Sequence, residues 1–351
     1  MGQGDPRGKH QGGMKRRFSG ISERDVMKLP RRQFLHLAAG AAALPALSRV
    51  TRAQTYPTRP VRFIVPFPAS GPSDVLARLY GQKLSQRWNQ PVVVENRVGA
   101  TGTIGTEAVV RAPPDGYTLL FTADLPITMA PALLKLRYDP QRDLAPIAAL
   151  AKNDALLVVH PSTGIRSLAD LIAAAKAKPG ALTFASAGKA SPSHLCAEML
   201  KRQADIDMTH VPYSGAAPAM NAVLAGDVTM YCAPIPVGMA HFKAGKVYAL
   251  GVTGTAPSPL LPDLAPVSAI YSEFVISPWL ALFAPVSTPP AVTQLVRNEL
   301  KKAYADPDLQ QKLASLALEP AWLSGAELSQ RIEADTAKWM DLFTSAGAKA
   351  E

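Results

Sequence analysis

A chain of 351 residues with 48% hydrophobic and 18% charged residues has the apolar content for a buried core and about two domains, which excludes a disordered chain. Its formal net charge of +10 would suit a nucleic-acid partner, but that charge is concentrated at one end. The first 53 residues hold 11 of the 37 Lys and Arg but 3 of the 27 Asp and Glu, so the remainder carries only +2 and lacks the basic face that nucleic acid requires.

The basic end reads as an export leader. Arg31-Arg32-Gln33-Phe34-Leu35 is a twin-arginine sequence, followed by an Ala-rich apolar run from Leu37 to Leu47. That run is shorter than the roughly 20 residues a membrane span needs. Thr51-Arg52-Ala53 then supplies small residues flanking an arginine, as a signal-peptide cleavage site requires. No later stretch is apolar enough to span a bilayer, so a mature protein free in the periplasm is expected.

Beyond the leader, β-branched and aromatic runs alternate with amphipathic stretches, the pattern of parallel α/β sheets. The spacing predicts strands at 61–66, 92–95 and 117–121, with a helix over 74–88 and a short helix after a Gly-rich turn. A second series opens with a strand at 155–159 and a helix over 167–178, which has Ser167 as N-cap and Pro179-Gly180 as its stop. Strands at 182–186, 208–211, 228–233 and 248–252 follow, separated by helices over 193–204, 218–225 and 237–243. A proline-rich loop covers 256–266, a strand lies at 279–284, and three helical segments run from Pro290 onward. This count gives an α/β protein of two lobes, residues 54–154 plus 278–351 and residues 155–277, with 1–53 as the leader. The chain crosses between the lobes near 152–156 and 275–280.

Three strand-to-helix turns carry small residues and hydroxyls: 66–74, 185–194 and 211–216. Free N–H groups at a helix start favour an anion, and the carboxyl ends of parallel strands are where such sheets bind ligands. The three turns together read as an anion cradle. Gly99, Gly102 and Gly105 have a spacing seen in nucleotide-binding loops, but they follow the second strand rather than the first, so a close-packed turn is the preferred reading. No G-x-S-x-G elbow exists, the six His are scattered, and the two cysteines form no C-x-x-C motif. No catalytic role, metal or cofactor is therefore expected. Cys196 and Cys232 could pair in an oxidising compartment, but two free, mostly buried thiols are the expectation.

These residues resemble, in order, the extracytoplasmic solute receptors of the tripartite tricarboxylate transporter family, also called Bug receptors. The resemblance is carried by Tyr56-Pro57-Thr58-Arg59-Pro60, Pro66-Phe67-Pro68 with Asp74, and Asn96-Arg97 with the glycine turn. Pro114-Asp115-Gly116-Tyr117, Tyr138-Asp139-Pro140, His210-Val211-Pro212-Tyr213, Leu261-Pro262-Asp263 and Leu282-Phe283-Ala284-Pro285 extend it along the mature chain. It implies a type II periplasmic-binding-protein fold, with a ligand cleft between lobes that close by hinge motion. It also implies a small organic carboxylate as ligand (mono- or dicarboxylate, aromatic acids included), and a membrane permease or a sensor kinase as partner. A monomer is expected.

The expected ligand contacts are Phe67, Ala69, Ser70, Gly71, Ser73 and Asp74 in the first turn, and Thr122 at the end of the third strand. Ser186, Gly188, Ser191 and His194 are expected from the second turn, Tyr213 from the third, and Cys232 from the cleft wall. The chain departs from the family at Pro72, which removes a backbone donor, and at Cys232-Ala233-Pro234, where many relatives carry an Asp. Turns 186–194 and 213–217 contain no acidic residue, which argues against an amino-acid ligand. The rival reading is a secreted α/β hydrolase using Ser191 and His194.

Overall fold

In a computed structural model, the described residues are 56–189 and 191–345; the leader, with its twin-arginine and cleavage sequences, lies outside them. The first strand, β1 (Val61–Val65), is buried at four of its five positions because parallel neighbours flank it on both sides. These are β2 (Val92–Asn96) and β3 (Thr118–Ala123), and the helix α1 (Pro72–Trp88) links β1 to β2. After β2 comes α2 (Thr103–Val110). A π-helical turn, Leu125–Met129, and the short helices α3 (Ala130–Leu133) and α4 (Pro140–Asp143) follow β3.

The first sheet has six strands, and only three of its pairs had a sequence signal. The strand β4 (Leu144–Lys152) lies antiparallel to β10 (Trp279–Pro285) on one side and to β11 (Glu319–Ser324) on the other. The spatial order is β11-β4-β10-β3-β1-β2. β4 reads Leu-Ala-Pro-Ile-Ala-Ala-Leu-Ala-Lys, an alanine-rich run with low strand propensity. It becomes a strand because two neighbours and the flanking helices bury it, a case of tertiary context overriding local preference. Likewise β11 interrupts the helical tail, between α10 (Pro307–Ser315) and α11 (Gly325–Ser345); α9 is Pro290–Tyr304. The parallel sheet expected from the βα pattern is thus a mixed one.

The second sheet is built from 155–252 alone. Its strands are β5 (Ala155–Val159), β6 (Thr183–Ser186), β7 (Thr209–Pro212), β8 (Met230–Pro234) and β9 (Tyr248–Val252), in the order β7-β6-β8-β5-β9. β6 pairs in parallel with β7 and β8, whereas β5 is antiparallel to β8 and β9. Helices α5 (Leu168–Ala177), α6 (Pro192–Ala204), α7 (Ala216–Ala225) and α8 (Ile235–Lys243) cover its faces. The Ser167 capping box of α5 forms as its sequence predicts.

Cys196 on α6 and Cys232 on β8 are joined as a disulfide, with Cα atoms 6.3 Å apart. The expectation of two free thiols is corrected here. α6 lies directly across β8, and both residues are 1% exposed, so the packing of helix on strand brings together cysteines 36 positions apart.

The chain passes from the first sheet to the second between Lys152 and Ala155 and returns between Val252 and Trp279. An ion cluster fastens these crossings. Lys152 Nζ lies 2.5 Å from Asp154 Oδ2 and 2.9 Å from Glu319 Oε2, while Ser277 Oγ donates to Asp154 Oδ1. Thr253 Oγ1 accepts from the Ala155 amide and donates to the Ile276 carbonyl at 2.6 Å. Asp154 is fully buried. Its substitution by Ala should lower stability by about 2–4 kcal/mol, because Lys152 then keeps a single counter-charge and Ser277 loses its acceptor. An unchanged urea midpoint would show that the cluster is dispensable.

Candidate functional site

The loop after β1 is shaped by Asp74 rather than presented by it. Asp74 is 2% exposed and accepts hydrogen bonds from the Ser70 amide (2.9 Å), from Arg78 Nε (3.0 Å) and Nη2 (2.9 Å), and from Asn96 Nδ2 (2.9 Å). Burial alone would raise its pKa, but these donors outweigh it and hold the carboxyl below the ordinary value. The bond from Ser70 fixes that residue at φ +67°, a left-handed conformation. Asn96 Nδ2 also reaches the Phe67 carbonyl at 3.0 Å.

Beneath the loop, the glycine turn proves to be a close-packed support. A Cβ on Gly105 would stand 2.7 Å from the Arg97 carbonyl and 2.8 Å from Pro66 Cβ, and one on Gly102, at φ +93°, would press on Phe67 and Pro126. Gly105 therefore lets α2 approach the β1 loop, and Gly102 leaves room for the Phe67 ring.

Two adjoining spaces lie at the strand ends between the sheets. One, of about 390 Å³, is lined by Phe67, Pro68, Ala69, Ser70, Gly71, Pro72 and Ser73 with Asn153, Pro278, Trp279 and Leu280. The deeper, of about 220 Å³, is lined by Phe67, Asp124, Leu125, Asn153, Ala187, Pro192, Ser193, Ala216, Tyr231, Pro234, Ile276 and the Cys196–Cys232 disulfide. Phe67, Ala123, Asn153 and Pro278 are shared, so the two form one cleft.

The walls are largely apolar, and the polar groups on them are few and specific. Asn153 Oδ1 is buried with no hydrogen-bond partner among the described residues, and the buried Tyr231 Oη has the Ser193 hydroxyl beside it. Both sit at the cavity wall, where a ligand could reach them. The first turns of four helices and of the π-turn border the same cleft: α1 at Gly71–Ser73, α6 at Pro192–Ser193, α7 at Ala216, α8 at Pro234 and the π-turn at Asp124–Leu125. Of these, α1 and α7 carry no side-chain cap, whereas the first amide of α8, on Ile235, donates to the Asp154 carbonyl. Their N–H groups and dipoles make the space favourable to negative charge.

The structure brings Phe67, Ala69, Ser70, Gly71, Ser73 and Cys232 to the cleft wall and keeps the other expected contacts off it. Asp74 turns inward, as described. Thr122 is fully buried in β3, where its hydroxyl donates to the Ala123 carbonyl at 3.0 Å. Ser186 Oγ is occupied by Gly188 and by His210 Nε2 (2.7 Å), and Gly188 closes that turn. Ser191 caps α6 by accepting from the His194 amide, and its hydroxyl donates to the Gly188 carbonyl at 2.7 Å. His194 stacks on His210 with ring centroids 4.1 Å apart. Its pKa falls to about 4, first because of burial and then because of His210, Lys201 and Lys189. Tyr213 packs with the core of the second sheet, its amide on the Ser186 carbonyl. The hydroxyls of turn 186–194 are therefore consumed in holding the turn, and the Ser191 hydroxyl serves as a cap rather than as a nucleophile.

Asp124, Asn153 and Tyr231 are not among the ligand contacts expected from the sequence. The second-lobe turns hold no acidic residue, but Asp124 brings a carboxyl from the opposite sheet. Its place at the end of β3 was the available signal. Nothing local in the sequence marks Asn153 or Tyr231.

Two α/β lobes joined by two crossings, with a polar-pointed apolar cleft between them, define a periplasmic-binding-protein fold of type II. The chain matches the family described as "Tripartite tricarboxylate transporter family receptor" over residues 76–347. It belongs to that family of solute-binding receptors. BugT of Bordetella pertussis is 32% identical over 88% of this chain and 95% of its own length. Among solved structures, R. palustris Rpa4515 with adipate has a TM-score of 0.71 at 29% identity, covering 84% of this chain and 100% of that one. The periplasmic binding protein BugD gives 0.69 at 32% identity, with 84% and 100% coverage. MatC from Rhodopseudomonas palustris with bound malate gives 0.66 at 29%, with 82% and 99% coverage.

Proposed function

We propose that this protein is a periplasmic, non-catalytic receptor that captures a small organic carboxylate in the cleft and presents it to the permease of a tripartite transporter. The observation that carries the reading is the convergence of the uncapped starts of α1 and α7 on a cavity whose wall holds the unpartnered Asn153 Oδ1 and the Tyr231 hydroxyl. The adipate and malate held by similar proteins agree with this ligand class. In the same reading the twin-arginine leader exports the chain, residues 54–154 plus 278–351 and residues 155–277 move as two lobes, and closure of a monomer is the signal. A sensor kinase is the alternative partner. Ligand contacts are assigned to Phe67, Ala69, Ser70, Gly71, Ser73, Asn153, Tyr231 and the disulfide wall.

A thermal-shift panel of mono-, di- and tricarboxylates, aromatic acids included, tests the ligand class. At a concentration about 100 times Kd, a true ligand stabilises the folded state by about 2.7 kcal/mol and raises the melting point by several degrees. Tyr231→Phe and Asn153→Ala should each weaken binding roughly tenfold through one lost buried hydrogen bond. Silence across the panel, or turnover of activated esters abolished by His194→Ala, would reject the receptor reading.

A further inference from the structure

Asp124 is a buried acid that the carboxylate reading does not use. It is 3% exposed, lines the deeper cavity, and receives no hydrogen bond on its carboxylate from any other described residue. Its backbone is fully engaged: the amide donates to the Trp279 carbonyl at 3.1 Å, and its carbonyl accepts from Ile127 and Thr128. The neighbouring acid, Asp335 on α11, is placed very differently. It accepts from Arg331 Nε at 2.7 Å and Trp279 Nε1 at 3.2 Å, and lies 3.4 Å from Lys338 Nζ. Both nearby cations thus contact Asp335, and Lys338 also donates to the Val275 carbonyl at 2.7 Å.

No other acidic side chain lines either space, and the remaining titratable wall group is Tyr231, whose hydroxyl burial raises to about 12 and so keeps neutral. A carboxylate ligand would bring a second negative charge into the same water-poor space as Asp124. Two carboxylates confined together do not both stay ionised; one proton between them replaces repulsion with a charge-assisted hydrogen bond.

We propose that the receptor binds its carboxylate together with one proton, which is held between Asp124 and a carboxyl oxygen of the ligand. The inference rests on the carboxylate reading of the site. The proton comes from solvent, and no covalent bond changes other than the O–H that carries it. In the free protein, burial first and then Asp335 push Asp124 up to about 7, against the opposing pull of Arg331 and Lys338. Net proton uptake on binding therefore sets in above neutral pH and is close to zero below it.

Isothermal titration of adipate, malate and benzoate, from about pH 6 to about pH 8.5 in two buffers of different ionisation enthalpy, tests this directly. For whichever acid binds, Kd should weaken roughly tenfold per pH unit above about 7, with uptake approaching one proton per ligand. Asp124→Asn keeps the shape and a donor, and should bind with a flat pH profile and no uptake. A flat Kd and no uptake in the wild type would overturn the inference while leaving the receptor reading intact. Preferential binding of an amino acid above neutral pH, lost in Asp124→Asn, would also overturn it, since Asp124 would then be an ionised partner for an ammonium group. Failure of every carboxylate at every pH would reject the receptor reading and this inference with it.

Discussion

Replacing both cysteines by alanine, Cys196→Ala with Cys232→Ala, should lower the unfolding free energy by about 3.5–4 kcal/mol and the melting point by roughly 6 °C. The link closes a loop of 36 residues, and chain-entropy arguments assign about that much to a loop of this length. Both side chains are 1% exposed among apolar neighbours, so alanine is the gentle replacement, whereas serine would add a buried hydroxyl without a partner. The same link forms part of the cleft wall, where Cys196 and Cys232 stand beside Tyr231 and Ser193. The double variant should therefore also bind its carboxylate more weakly, because a slackened wall places the Tyr231 hydroxyl less well. Urea unfolding of the oxidised protein and the double variant, side by side, decides the matter. A difference below about 1 kcal/mol would mean that the helix-on-strand packing holds this lobe without the link.

Relative to Asp124→Asn, the free protein should lose stability as pH rises from about 4 to about 7, because of the single side chain of Asp124. With its pKa raised to about 7, Asp124 keeps a proton in the folded state that the unfolded chain releases near pH 4. A raised carboxyl favours the folded state at low pH, and that advantage disappears as pH climbs through the folded value. The full change is about 3–5 kcal/mol, at 1.36 kcal/mol per pKa unit for a fully buried group. Two other groups act within reach of this window. His194, lowered to about 4, and His210, also lowered, are protonated more readily in the unfolded chain, so they make stability rise with pH up to about 6.5. Asp74, held below its ordinary value, adds stability that is lost only in stronger acid. The difference between the wild type and Asp124→Asn cancels these common contributions. That difference should be small near pH 4 and grow in favour of the variant up to about pH 8. Parallel curves for the two proteins would show that Asp124 titrates in the ordinary carboxylate range.

Both effects arise where the two sheets meet. The Asp124 end of β3, Asn153 in the first crossing and Tyr231 on β8 come from three separated segments. Each is an unremarkable residue in its own stretch of sequence. Their chemistry arises from what the fold removes, namely water around Asp124 and Tyr231 and a hydrogen-bond partner for Asn153 Oδ1. The same holds for the cysteines, whose pairing depends on α6 crossing β8.

The sequence by itself determined the alternation of strands and helices and the caps and turns that bound them. These features are local: hydrophobic period, N-cap chemistry and glycine or proline punctuation are written within about ten residues. Only the tertiary structure decided that the alanine-rich stretch 144–152 is a central strand, that 319–324 adds an edge to the same sheet, and that the sheets are mixed. It alone turned Asp74 inward as a brace, spent the Ser186 and Ser191 hydroxyls on their own turn, and set Asp124 on the cavity wall. The physical reason is that burial and partner choice depend on residues far apart in the chain. A side chain's protonation, its free hydrogen-bonding capacity and the face it presents are fixed only when those distant residues close around it.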